Sequence, residues 1–540
     1  MSEVDNTNLK IIPAPTGGWN TRDPIHAMPE TDAIELVNYF PQAATVVNRG
    51  GSTKYCDVDD LFGGTHSTAY FFQIFGLENS SGAFIIALVN DTYSTGARYI
   101  YRCNTATGVW SDITASLAPA APANSPPYDS CVFRGRLFIV GWSVNISIAG
   151  TGDATASSWT GPAAALLNVT SYNRRLFFTE NGTQNIWYAG IDAITGALTQ
   201  YDISSLLTGG GTPIAIGSTS KQGTSNQNLF VVVSNKGEVL VFQGDYPGSA
   251  TWGVVGRYFI ARPAGRCCLC YRGASLHIIT ERGVIPVNTL LAGDTEVGGD
   301  YKTSSAKIDD AFIDASDVIA MGTRNWMGID VPIMKGFIVS GIRTDTTNNF
   351  QAFVQNTTTG AWCKWDHLDG DNFIYVNGKV YYTRFNTSHT IKGFNVLELG
   401  IPGTSGGADW ITTQVPSLYG ALESYTSTCR LAFNYLDDPT HNKHITSVKA
   451  FFDLVQEAGH DTTKRQIKIG ADSDFGNANI TNQCILQAVA TDGTVHYVLP
   501  TDVQAQGTSI SIIFNSSFGA GYILKWNLFV VNFESGGFLS

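Results

Sequence analysis

The sequence predicts an all-β protein: a β-propeller of about six blades with an additional C-terminal antiparallel β-sandwich or barrel. Three observations carry that expectation. Charged residues make up only 14% of the 540 residues, against 56 glycines and many Thr, Ser and Asn, a mix that suits strands and turns and disfavours helices. Short apolar strands separated by turn residues run from about residue 65 to 400, and several of them repeat. Beyond a breaker-rich stretch at 401–417 the apolar runs lengthen.

The repeats point to blades. Phe133 to Val140, Tyr172 to Thr179 and Tyr271 to Ile278 resemble one another, and Val376 to Tyr382 follows more loosely. Each places a Gly or Asn turn between an aromatic or β-branched residue and a new strand, the hairpin signal. A second unit, Tyr101 to Trp110, aligns with Phe353 to Trp362: a strand, an Asn-Thr turn with Gly, then a Trp entering the next strand. It resembles sequence of kelch-like and other propellers without their full signatures. A further blade fits around Leu229 to Phe242. All-strand repeats with a period of ~40–50 residues indicate propeller blades. Six blades fit the length best and seven are compatible with it. A sandwich of two large sheets is the rival architecture. The strand near Thr45 to Tyr55 is a candidate to complete the last blade.

The expected organisation is an N-terminal docking arm at 1–40, a propeller at 41–400 and a C-terminal β domain at 401–540. In the last, Ile445 to Leu454, Arg465 to Ile469, Thr494 to Leu499, Ser509 to Phe514 and Leu524 to Phe533 read as strands.

The opening segment runs from Pro13 to Gly51. Gly17 and Gly18 free the backbone, and prolines at 13, 15, 24, 29 and 41 suppress helix over most of it. Glu30 to Tyr39 could form a helical stretch with Thr31 as N-cap. The rest reads as an extended arm anchored by Trp19 and Phe40, packed either on its own domain or on a neighbouring subunit. Trp19, Arg22, Asp23 and Phe40 are the candidate interface residues, Trp and Arg being favoured at interface hot spots.

This segment also resembles the N-terminus of tail nozzle or hub proteins of short-tailed bacteriophages. In that family Gly-Gly-Leu/Trp-Asn-Thr-Arg-Asp-Pro is followed by Met-Pro-x-x-Asp-Ala, an Asn-aromatic-Phe-Pro, and a basic residue next to Gly. Here those positions are Gly17 to Pro24, Met28 to Ala33, Asn38 to Pro41, and Arg49 with Gly50. The match covers about forty residues. It implies a structural subunit of the virion tail, assembled in the host cytoplasm as a homohexameric ring that continues and gates the DNA ejection channel. It further implies contacts with the tail adaptor above and with fibres, spikes or a tip. Genomic DNA would pass through the lumen without sequence-specific binding.

Charge separates a conduit for DNA from a reader of it. A net charge of −12 works against a conventional nucleic-acid binder, which needs Lys and Arg to displace phosphate counterions. A channel along which a polyanion slides should repel it. The polar, acidic start (Ser2, Glu3, Asp5) carries no export signal, and runs such as Phe84 to Val89 are too short to span a bilayer. The nine scattered cysteines read as reduced thiols.

The residues give little sign of catalysis, and neither enzyme activity, metal nor cofactor is expected. Cys267, Cys268 and Cys270 lack the second ligand pair that zinc requires, and His441 with His444 lack a third ligand. Asp366, Asp369 and Asp371, and Asp309 with Asp310, lie in turns where Asp is ordinary. Gly209 to Gly211 reads as a loop. The alternative is a carbohydrate-binding or glycan-cleaving propeller of the tail, which would need a close carboxylate pair in one pocket.

Overall fold

The computed structural model describes residues 7–57, 61, 69–91, 97–114, 128–141, 144–220, 228–295, 301–318, 326–343, 350–366, 368, 370–384, 395–403, 408–412, 419–456, 465–475, 479–485, 493–503, 505–518 and 522–538.

Local turn chemistry builds the blades. Phe133 pairs with Arg136, Tyr172 with Arg175 and Val376 with Lys379 across two-residue turns. Both central residues of each turn (Arg134 and Gly135, Asn173 and Arg174, Asn377 and Gly378) have φ between 43° and 75°. Such left-handed turns match the right-handed twist of the strands they join. In every case the hairpin links the innermost strand of a blade to its second strand. The other repeated unit also recurs at an equivalent place, between third and fourth strands. Gly108 N–H donates to Asn104 O and Gly360 N–H to Asn356 O, each at 2.8 Å, with the two glycines at φ 69° and 77°.

Six sheets of consecutive antiparallel strands follow one another, at 69–112, 129–156, 166–202, 213–259, 269–286 and 327–365. A seventh sheet lies between the sixth and the first and closes the ring. It joins Gly370–Val376, Lys379–Arg384 and Asn395–Leu399 to the N-terminal strand Ser52–Asp57. The two ends of the propeller segment are thereby tied together by main-chain hydrogen bonds, removing the free edge that an open ring would leave. The closing strand is the second half of the 45–55 segment; Val46–Asn48 pairs elsewhere. In the fifth sheet, helices Val287–Ala292 and Asp309–Val318 follow the third strand. Asp309 and Asp310 begin the second helix, where carboxylates favour the dipole.

Aromatic side chains fill the wedges between blades. Phe177 and Phe230 meet at 4.7 Å between the third and fourth, with Trp252 stacked on Phe242 at 5.2 Å. Trp159 and Phe178 meet at 5.3 Å between the second and third.

The C-terminal strands form a sandwich of two sheets. One holds Tyr522–Phe538, His441–Gln456 and Gly493–Thr501; the other holds Thr426–Leu431, Ile510–Phe518 and Arg465–Ser473. Phe514 sits between them, 4.8 Å from Trp526 and 5.4 Å from Phe529.

The opening segment belongs to this sandwich. Thr7–Pro13 pairs along 528–534, and Tyr39–Pro41 and Val46–Asn48 extend the same sheet. Asp32–Val37 lies in the other sheet between Thr426–Leu431 and Trp362–Trp365, so one ladder runs from the sixth blade into the sandwich. The helix expected at Glu30 to Tyr39 is therefore replaced by two strands. Leu36 and Val37 are buried there against long-range neighbours, and tertiary pairing overrides a weak local preference.

Candidate functional site

Two places concentrate buried polar groups: the joint between propeller and sandwich, and the axis of the propeller.

The joint is made of the signature residues. Gly18 has φ 86°, and a Cβ there would lie 2.6 Å from the Trp362 carbonyl oxygen, so only glycine fits. Trp19 follows, its ring edge-on to Phe353 at 5.3 Å and its Nε1–H donating to Ile34 O at 3.1 Å. The Asn20 amide donates to Asp23 (2.9 Å) and Asp32 (2.8 Å) and its oxygen accepts from the Arg22 and Asp23 backbone N–H groups. Asp32, fully buried, receives Lys307 Nζ at 2.8 Å, and that ammonium also donates to Gly17 O. The Asn20 amide, with Arg22 second, holds the Asp23 carboxyl below its ordinary value.

Asn38 is the centre of the second half. At φ 58° it sits in the left-handed region, where Asn is among the better-tolerated side chains. Its amide donates to Asp366 Oδ1 and to Thr426 O, while its oxygen accepts from Arg49 Nε at 2.9 Å and Asp366 N–H at 3.0 Å. All four of its hydrogen-bonding positions are used. Arg49 has no exposed surface; it donates further to Gly50 O and Asp366 O and lies 3.7 Å over the Tyr425 ring. Residues from 38, 49, 366 and 425–426 thus converge on one point between the two domains.

Of the four expected interface residues, Trp19 and Phe40 are buried in the chain's own core, Phe40 against Trp365. Their apolar surface is taken up by intramolecular packing, the first of the two placements open for the arm. Arg22 and Asp23 stay at the surface, paired at 3.1 Å with the arginine side chain 50% exposed. Asp366 belongs to the joint; Asp369 lies outside the described residues, and Asp371 is described in its backbone only.

The axial cavity has a volume of about 530 Å³ and is lined by the inner strands of all seven sheets. Polar side chains stitch those strands together around it. Gln73 of the first blade exchanges two hydrogen bonds with the Tyr128 backbone beside the second, at 2.8 and 2.9 Å. Asp129 of the second accepts from the Val169 N–H at 3.0 Å and the Asn168 amide at 3.3 Å in the third. Tyr271 of the fifth accepts from Ser218 N–H in the fourth, and Asn372 of the seventh accepts from Ile74 N–H in the first. Burial pushes the Asp129 carboxyl up to about 6, against the pull of those donors and, more weakly, of Arg266. Among the described residues Arg266 lines the same cavity without a hydrogen bond or ion pair, and its Nη1 is sealed from solvent with no acceptor. Neither residue stood out in the sequence.

Cys267 lines the cavity, while Cys268 and Cys270 are buried in the core, where desolvation drives their thiols up. Among the described residues no cluster of His, Cys, Asp or Glu could hold a metal. His441, at the start of its strand, pairs with Asp438, and Gly209 N–H donates to Glu238. No helix among the described residues is long and apolar enough to cross a membrane.

These two sites belong to an all-β protein of the β-propeller class, with a sandwich joined to the ring. No family model and no curated protein sequence matches the chain. Among solved structures it is similar to BBS1N in complex with ARL6DN, at 10% identity and a TM-score of 0.38, covering 65% of this chain and 98% of that one. It is also similar to the Cps50 (Swd1) β-propeller domain of Myceliophteria thermophila, at 10% identity and a TM-score of 0.36, covering 62% of this chain and all of that one. Likeness at this level bears on the fold alone.

Proposed function

We propose that this chain is a structural subunit of a phage tail nozzle, forming a homohexameric ring below the tail adaptor that continues and gates the DNA channel. The observation that carries the reading is the opening signature, Gly17 to Pro24, Met28 to Ala33, Asn38 to Pro41 and Arg49 to Gly50, whose buried polar members Asn20, Asp32, Asn38 and Arg49 are built into the joint described above. A ring subunit under load must hold its domains at a fixed angle. A continuous ladder and a saturated buried network supply that stiffness, where ordinary inter-domain contacts leave relative motion as the default.

The channel of such a ring lies between subunits. The propeller's own cavity, about 530 Å³, is the size of a small-molecule pocket and not of a passage for a polymer. A net charge of −12 favours lumen walls that do not hold DNA. Opening of polar loops at the exit would release the genome by mechanical and electrostatic means, with no chemical step.

Ring contacts need exposed apolar surface, and the outer face of the sandwich offers it. Cross-strand rows Ile11, Val530, Lys449, Pro500 and Pro13, Leu528, Phe451, Val498 run over that face. Leu9, Ile11 and Val498 are 62%, 56% and 56% exposed. This reading assigns the rows to a neighbouring copy.

The glycan-cleaving alternative has less support: among the described residues Asp129 is the one carboxylate lining the cavity, and hydrolysis of a glycosidic bond needs two. Sedimentation of the purified full chain tests the nozzle reading. Six times the 58.1 kDa chain mass supports it; a monomer at every concentration counts against it.

A further inference from the structure

We infer that the axial cavity of the propeller is a binding site for a small organic anion, a carboxylate or phosphate monoester of about monosaccharide size, held by Arg266. The inference goes beyond the structural role proposed above and stands or falls separately from it.

Arg266 carries the argument. It is partly withdrawn from water in the cavity wall, makes no hydrogen bond or ion pair among the described residues, and has one nitrogen fully enclosed without an acceptor. A guanidinium has five donors and is ordinarily paired when buried; left alone it costs free energy that the fold must absorb. Desolvation pulls its pKa down accordingly. The nearby carboxylate of Asp129 does not answer it. Asp129 acts on Arg266 only through space, and its oxygens are taken by Ser130 N–H, Val169 N–H and the Asn168 amide. The wall gives the guanidinium no anionic hydrogen-bonding partner, and a ligand in the cavity would supply one.

The rest of the wall defines what that ligand is. A volume of about 530 Å³ suits a molecule of one ring or a short chain. Ile216, Leu269, Met327 and Phe373 offer an apolar side, while Ser130 and Ser171 offer hydroxyls. Carboxylates and phosphates match the planar fork of arginine in two parallel hydrogen bonds, which a neutral sugar cannot do. The Asp129 carboxylate in the same wall disfavours a ligand crowded with anionic groups, so one anionic group on a hydroxylated body fits best.

The test is thermal unfolding of the full chain with glucuronate, glucose 6-phosphate or glucose at millimolar concentration and matched ionic strength. One or both anions are expected to raise the midpoint by about 2–4 °C, and glucose to leave it unmoved. Arg266→Met removes an unpaired charge, so its midpoint without ligand should equal or exceed that of the parent chain, which keeps a failure to fold distinguishable. Its anion-dependent shift should vanish, and Arg266→Lys should retain part of it. An equal shift with glucose, a shift preserved in Arg266→Met, or no shift of the parent chain with either anion would overturn the inference.

Discussion

Arg49 donates through Nε to the side-chain oxygen of Asn38 at 2.9 Å, and this contact sits where propeller, sandwich and opening segment meet. Both residues are buried, and neither is bonded to a close sequence neighbour alone: Asn38 reaches Asp366 and Thr426, and Arg49 lies over Tyr425. The contact makes the signature a structural element of the joint.

Replacing Arg49 should therefore destabilise the chain even by a conservative change. Arg49→Lys keeps the charge but loses the planar fork, leaving at least one of the Asn38, Gly50 and Asp366 oxygens unsatisfied at a cost of about 1–3 kcal/mol. Arg49→Met removes all three donations and should cost more. Urea unfolding monitored by tryptophan fluorescence measures both.

Glycine replacements should separate crowding from backbone strain. Gly18 and Gly108 both have positive φ, at 86° and 69°, but only Gly18 has main-chain atoms in the way of a Cβ. Gly108→Ala should cost about 1 kcal/mol from conformation alone, and Gly18→Ala roughly 3 kcal/mol or more, because strand and neighbour must separate. Differences in chemical denaturation midpoint provide the check.

Two buried groups should oppose each other in acid. Burial pushes Asp129 up to about 6, so its contribution to stability is full below the unfolded carboxyl value and is lost as pH rises to about 6. Burial holds the His277 imidazole down to about 4, so its contribution is present above about 6.5 and is lost as pH falls. In the parent chain the two partly cancel between pH 4 and 6. Asp129→Asn should expose the His277 effect as a steeper acid loss, by about 2–3 kcal/mol over that window. His277→Gln should do the reverse. Stability profiles from pH 4 to 7 distinguish them.

Charge placed on the exposed sandwich face should block assembly without unfolding the subunit. Leu9 and Ile11 point to solvent, so Leu9→Asp with Ile11→Asp should change the monomer's stability by less than about 1 kcal/mol. Sedimentation of the double variant should show a 58.1 kDa species under conditions where the proposal expects rings of the parent chain.

The sequence made the blades legible because their turns are local. Arg134 with Gly135 and Asn377 with Gly378 announce hairpins within four residues, and the Asn104 and Asn356 turns announce the return to a fourth strand. The joint was legible only as a motif. Asn38 meets its partners across 328 and 388 residues, a distance no periodicity encodes. Strand Asp32–Val37 was misread as helical for the same reason, since Leu431, Arg430 and Cys429 set its conformation from afar. Arg266 and Asp129 carried no motif at all; the cavity exists only once seven separate strands are side by side.

The most direct test of the central claim is electron microscopy of the purified full chain, with class averages viewed down the symmetry axis. The account predicts six-fold rings with an open centre, each subunit showing a propeller rigidly joined to a sandwich. Isolated single subunits at every concentration, or rings of another order, would contradict it.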